Sequence, residues 1–243
     1  MLYALDHCKQ CCVYKIYCGG SIYGSPVVDE MRNMLYVATT SGHVTALSVK
    51  DLSFHTVWLY KAGVPIFGSL CLHASSGNVI CCLVDGNVLS LDLKGSLLWK
   101  VSTGGPIFSA ACMSSVLPSQ VLICSRSGSV YSFEVEGGIL LWEYHMGSPI
   151  TASAYVDEQI PLQSMSSGPP DRLVCICSSS GSIHVLRVNS RSSEAEHSQQ
   201  NTSPEKIACF ILPGDIFSSP VMIGGRIFVG CRDEYLHCVC VYL

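Results

Sequence analysis

At 243 residues, 49% of them hydrophobic and 13% charged, with a mean hydropathy of +0.38, the chain is long enough for one large domain or two small ones and too apolar for a disordered one. Its 14 Lys and Arg against 18 Asp and Glu give a net charge of -4, the wrong sign for a protein that neutralises nucleic-acid phosphates. Two stretches lack any charged side chain, 62–84 and 101–125, but SSGN (75–78) and STGGP (102–106) interrupt them, so neither offers the roughly 20 continuous apolar residues of a spanning helix. No membrane segment is expected, and MLYALDHCKQCC lacks the zones of a signal peptide. Fifteen cysteines are about 6% of the chain, below the roughly 8–10% of disulfide scaffolds. Most sit in apolar runs such as NVICCLV and RLVCICS, which favours a reducing, cytoplasmic setting.

In chain order, LYALD (2–6) and CCVYKI (11–16) read as two short strands, and a phrase then begins that recurs. GGSIYGSPV (19–27) returns as GVPIFGSLC (63–71), GGPIFSAAC (104–112), GSPITASAY (147–155) and GDIFSSPVM (214–222). The anchoring isoleucines Ile22, Ile66, Ile107, Ile150 and Ile216 are spaced by 44, 41, 43 and 66 residues. The last interval is longer because two polar insertions, 157–172 and 190–206, fall inside it. After each phrase come an apolar run, a turn, a second alternating run and a final short run ending on an aromatic. Period-two alternation over five to seven residues, punctuated by Gly, Ser, Asn and Asp, is the mark of half-buried strands. Four such strands per roughly 43 residues make a β-propeller blade. The prediction is an all-β propeller of four-stranded antiparallel blades in a single domain over 1–243, with a partial blade at 1–18. Whole blades follow at 19–61, 62–102, 103–145 and 146–212, and a second partial blade at 213–243.

Each recurring element has a physical role. The small pairs after the isoleucine suit an innermost strand, where blades converge. Gly42, Gly86, Gly128 and Gly181 supply a positive φ in the hairpin between the second and third strands, where the fifth repeat has Asp233 and Glu234. Trp58, Trp99 and Trp142 share one register, eight residues before the next isoleucine, with Tyr14 in the same place and Phe210 a looser match. On the outermost strand such rings dock blade against blade, each burying about 150–250 Å².

At these aromatics the residues become recognisable. EVEGGILLW (134–142) resembles the docking motif of quinoprotein-type propellers, A-x-D-x-x-T-G-x-x-x-W, with Glu134 for the Asp and Gly137 for the Thr. ALDHCKQCCVY (4–14) keeps its spacing with Ala4, Asp6 and Tyr14. DLKGSLLW (92–99) is one residue short of the pattern, and the stretch from Ala46 to Trp58 two longer. More narrowly, LYALD followed by CCVYKIYCGGSIYGSP, together with IFSSPVMIGGRIFVGCRDEYLHCV (216–239), is similar to the C-terminal propeller of the β-alanine-activating enzymes of the acyl-CoA synthetase superfamily. The resemblance implies a parent that activates an amino acid with ATP and loads it on a phosphopantetheine carrier. ATP and phosphopantetheine are then expected only on upstream adenylation and carrier domains, which with other proteins would be the partners. This chain shows neither a Gly-rich phosphate loop nor a carrier-type Gly-x-Asp-Ser, so its expected role is a non-catalytic interaction module. The alternatives are a stand-alone quinoprotein-like oxidoreductase and a free interaction scaffold. Related propellers usually close with seven or eight blades, whereas this length holds between five and six. A fragment or short isoform is therefore expected, forming an open crescent that exposes apolar edges, or a strained ring in which residues 11–16 complete the last blade.

Other constellations carry less. Cys11-Cys12 and Cys81-Cys82 invite comparison with the vicinal disulfide of quinone-dependent dehydrogenases, but neighbours in a strand point to opposite faces. Cys175-x-Cys177 and Cys238-x-Cys240, with His184 and His237 near them in sequence, offer metal-ligand types, yet zinc needs its ligands at about 2.0–2.3 Å and the two pairs belong to different blades. No catalytic, cofactor or metal residues are assigned. Asn201 fits a glycosylation sequon, but Pro204 follows it and no secretory signal is seen, so it reads as an unmodified polar loop, with phosphorylation or docking the sharper alternative. Arg232 and Asp233 could form a rim ion pair, an ordinary turn being the simpler reading.

Overall fold

The computed structural model describes residues 1–50, 54–162, 170–189 and 203–241. Among them there is no helix, and so none long and apolar enough to cross a membrane. Twenty-one strands form six antiparallel sheets. A hairpin of β1 (Leu2–Asp6) and β2 (Cys11–Ile16) comes first. Four four-stranded blades follow: β3–β6 (Val27–Asp29, Met34–Ala38, His43–Ser48, His55–Lys61); β7–β10 (Cys71–Leu72, Val79–Cys82, Asn87–Leu91, Leu97–Ser102); β11–β14 (Cys112–Ser114, Leu117–Cys124, Ser129–Glu134, Leu140–His145); and β15–β18 (Tyr155–Val156, Arg172–Cys177, Ser182–Val188, Glu205–Ile211). The last sheet has three strands, β19 (Val221–Ile223), β20 (Arg226–Gly230) and β21 (Leu236–Cys240).

The continuous apolar runs in the second strands follow from the stacking of blades face to face. With both faces covered, alternate residues serve alternate neighbours. In β8, Val79 and Cys81 pack toward the preceding blade, and Ile80 and Cys82 toward the following one. In β16, Val174 and Ile176 face the third blade, and Leu173, Cys175 and Cys177 the fifth. The core is thus four clusters, each shared by two adjacent blades, instead of one central mass.

Near the axis the blades meet backbone to backbone. A Cβ on Gly24 would lie 2.6 Å from Gly68 O, and one on Gly68 would lie 2.2 Å from Ser109 O, so these positions exclude any side chain. Serines beside them tie the blades together: Ser25 N–H donates to Ser69 Oγ (2.9 Å), Ala110 N–H to Ser153 Oγ (3.0 Å) and Ser153 N–H to Ser219 Oγ (3.0 Å).

The ends do not join. β2 pairs with β1, not with β21, so the crescent is the form seen and residues 11–16 do not complete the last blade. The register explains it: Leu2 through Ala4 pair with Ile16 through Tyr14, and the pairing resumes past a bulge with Leu5–Cys12, a complete hairpin in itself. The outward faces expose Tyr3 and Leu5 at one end and Val221, Ile223 and Leu236 at the other.

Candidate functional site

Three of the outermost-strand aromatics, Tyr14, Trp58 and Trp99, reach directly to the hairpin between the third and fourth strands of the next blade. Tyr14 OH donates to Phe54 O, its ring stacked on Phe54 at 4.7 Å. Trp58 Nε1–H donates to Leu93 O and Trp99 Nε1–H to Val135 O, both at 2.9 Å. Beneath the two indoles lie Gly95 and Gly138, where a Cβ would come within 2.7 and 2.8 Å of the ring. Trp142 differs: its Nε1–H donates to Gln120 Oε1 of its own blade (3.3 Å), and Gln120 Nε2–H donates on to Asn189 O (2.8 Å). Phe210 has no polar group and packs among the cluster shared by the fourth and fifth blades. An acidic residue closes the same hairpin in three sheets. Asp6 accepts from the N–H groups of Cys8 and Lys9, Asp92 from Lys94 and Ser96, and Glu134 from Glu136 and Gly137. Gly42, Gly86, Gly128 and Gly181 sit at φ of 74° to 90°. Their carbonyls accept from Ala62, Thr103, Met146 and Leu212, fastening the linker to the next blade.

These linkers and the hairpins of Gly42, Gly86, Gly128 and Gly181 share one end of the blades, where further side chains form a concave surface. The residue after each anchoring isoleucine is Tyr23, Phe67, Phe108, Thr151 and Phe217. The first three rings make an arc, with centroids 5.5 and 5.8 Å apart. Thr151 interrupts it, and the gap is a cleft of about 600 Å³ between Phe108 and Phe217, lined also by Arg126, Pro149, Ser179, Ser180 and Asp215. The guanidinium of Arg126 lies 5.9 Å from the Phe108 centroid and that of Arg232 lies 5.1 Å from Phe217, a cation–π arrangement. The Thr151 hydroxyl oxygen is buried with no hydrogen-bond partner. The signal was present in the repeat as I-Y, I-F, I-F, I-T, I-F, the fourth member being the exception.

The remaining constellations are placed as follows. All fifteen cysteines are free. Cys81 and Cys82 point into different blade interfaces; burial pushes the Cys81 thiol up to about 12 and raises Cys82 further from reactivity. Cys11 and Cys12 are exposed. Cys175 and Cys177 are buried while Cys238 and Cys240 are exposed, so the two CxC pairs do not converge. His184 turns to the opposite face, toward Tyr144 OH at 2.9 Å, and burial, with Lys206 nearby, lowers its pKa. Asp233 pairs with His237 (Nε2–Oδ2 2.7 Å) instead of Arg232, because Arg232 extends over Phe217. Partial burial opposes the Asp233 charge, yet hydrogen bonds from His237, Cys231 and Tyr235 N–H hold its carboxyl below the usual range. The sequon at Asn201 lies outside the described residues.

Sheets of four antiparallel strands, stacked face to face with their first strands innermost, define a repeat β-propeller, present here as an open arc. The fold and the amino-acid match narrow this further. The model of the family described as "Beta-alanine-activating enzyme, beta-propeller" matches residues 1–241, and the chain belongs to that family. It is 29% identical over 199 residues to the beta-alanine-activating enzyme of Danio rerio, covering 74% of this chain and 16% of that protein. To the Drosophila melanogaster enzyme it is 27% identical over 229 residues, covering 90% of this chain and 21% of the other. The chain thus corresponds to about a fifth or less of these relatives' length. Among solved structures, BamB from Moraxella catarrhalis superposes with a TM-score of 0.64 at 17% identity, covering 93% of this chain and 59% of BamB, a likeness of fold.

Proposed function

We infer that the chain acts as a non-catalytic binding module of an ATP-dependent, amino-acid-activating and carrier-loading enzyme, and that the cleft at the channel mouth is its contact face. The observation that carries this reading is the single break in the aromatic arc. Where the other repeats place a ring, Thr151 leaves a recess with two arginine-capped aromatic walls, its own hydroxyl oxygen buried without a partner. Guanidinium donors beside aromatic faces suit a group that carries negative charge next to a flat or apolar part, and a phosphopantetheine arm meets that description at its phosphate. ATP and the carrier's prosthetic arm belong, in this reading, to other parts of the parent enzyme. The free thiols favour a reducing compartment such as the cytoplasm.

The test is titration of the purified chain with a carrier domain in its phosphopantetheinylated and unmodified forms, followed by calorimetry. Thr151→Phe restores the pattern of the other repeats and fills the cleft. Binding of the modified carrier that weakens by about tenfold or more in this variant, a change of about 1.4 kcal/mol, is the expected result. Equal binding by wild type and variant, or none by wild type, removes the reading.

A further inference from the structure

We propose that Cys231, Asp233 and His237 form a site for one divalent transition-metal ion, zinc being the ion that this donor set selects, with a fourth position open to solvent.

The three donor atoms, Sγ, a carboxylate oxygen and a ring nitrogen, all lie within 4.8 Å of one another on partly buried side chains. Tetrahedral zinc takes thiolate at about 2.3 Å and imidazole or carboxylate at about 2.0–2.2 Å, and three protein ligands plus water is its open form. Thiolate and imidazole together disfavour magnesium and calcium, which take oxygen.

The fold builds this convergence. In the third and fourth blades the hairpin between the second and third strands brings the residues at i and i+2 together: Ser125 and Ser127 hydroxyls are 3.0 Å apart, and Ser178 and Ser180 also 3.0 Å apart. The corresponding triples there are Ser125, Ser127, Tyr131 and Ser178, Ser180, His184. In the first and second blades they are Thr39, Ser41, Thr45 and Leu83, Asp85, Leu89. The fifth repeat alone fills all three places with metal-ligand types.

Neighbouring groups hold them. Gly214 lies so close that a Cβ there would be 2.9 Å from Cys231 Sγ and 2.7 Å from Asp233 N, which fixes the sulfur against the linker. Tyr235 N–H donates to Asp233 Oδ1 (3.1 Å), turning Oδ2 toward His237 Nε2 at 2.7 Å. Outer contacts of this kind orient metal ligands. The ion would replace the hydrogen bond between Asp233 and His237, the ring keeping one proton on Nδ1 and any second proton passing to solvent, and the Cys231 thiol would likewise release its proton to solvent. Arg232, between two of the ligands, reaches Phe217, so the ion would also steady one wall of the cleft.

The rival account is a hydrogen-bonded brace for a turn whose Glu234 sits at φ 73°. The reduced full chain titrated with Co²⁺ separates the two. Expected are one equivalent showing a thiolate-to-cobalt charge-transfer band with four-coordinate visible bands, bleaching on addition of Zn²⁺. Cys231→Ser abolishes the band, and a Cys238→Ser, Cys240→Ser double variant retains it, as does Cys8→Ser, which controls for the exposed His7–Cys8 pair. Should Cys231→Ser fail to fold, His237→Gln serves in its place, with affinity falling by about tenfold or more. No band in wild type, a band that survives Cys231→Ser, an unchanged cobalt affinity in His237→Gln, or a band lost with the exposed cysteines overturns the site.

Discussion

The first three whole blades and the last two solve the same packing problem differently. From β3 to β14 the repeat obeys its own rule: glycine at each tight hairpin, an aromatic after each anchoring isoleucine, and an indole lying over a glycine of the next blade at Gly95 and Gly138. The fourth and fifth repeats depart from it: Thr151 replaces the ring, Phe210 replaces the indole and Glu234 replaces the glycine. The change begins at the third-to-fourth interface, where Trp142 of β14 is satisfied through Gln120 instead of directly by a hairpin carbonyl. The cleft and the Cys231–Asp233–His237 cluster both fall where the repeat departs from itself. Regular repeats build the scaffold, and the proposed binding cleft and metal site gather at the exceptions.

Three substitutions press on that contrast. The largest effect is expected in the regular half. Trp99→Ala removes a buried ring from the cluster shared by the second and third blades and the bond to Val135 O, and should lower unfolding free energy by about 3–5 kcal/mol in denaturant titration. A loss below about 1 kcal/mol would mean the indole does not dock the blades. At the third-to-fourth interface one polar side chain is critical. Gln120→Leu strands Trp142 Nε1–H and the Ser132 hydroxyl that donates to the same amide oxygen, at a cost of about 1–3 kcal/mol. No side-chain substitution can delete the backbone acceptor of Trp99, so an equally mild response at both interfaces would erase the difference between them. The smallest effect has the opposite sign. Glu234→Gly relieves a left-handed residue at the expense of a more flexible unfolded chain, for a net gain of about 0.5–1 kcal/mol; a lower melting temperature would show that the fifth turn favours its glutamate.

The repeat made the architecture legible because its signals are local. Alternation shows a strand wherever one face differs from the other, and Gly42, Gly86, Gly128 and Gly181 mark turns that no other residue adopts without strain. The register of Tyr14, Trp58, Trp99 and Trp142 was readable from spacing alone. Their acceptors were not, since Leu93 O and Val135 O belong to the next blade and carry no side-chain signature. Gln120 was hidden for a related reason: its role exists only once β12 and β14 flank β13 in one sheet and a neighbouring blade supplies Asn189. The cleft escaped attention because what defines it is a missing ring at Thr151, and an absence shows only after the repeats are stacked. Cys231, Asp233 and His237 are spaced by two and four residues, a pattern that converges in this hairpin and would not in an extended strand.

The division of the core into four two-blade clusters has a chemical consequence. Cys81 lines the seam between the first and second blades, Cys82 the seam between the second and third, Cys124 that between the third and fourth, and Cys175 and Cys177 that between the fourth and fifth. Each thiol is shielded only while its own seam is shut. Timed alkylation followed by peptide mass mapping can therefore record the order in which the seams part, because every one of them already holds its own reporter.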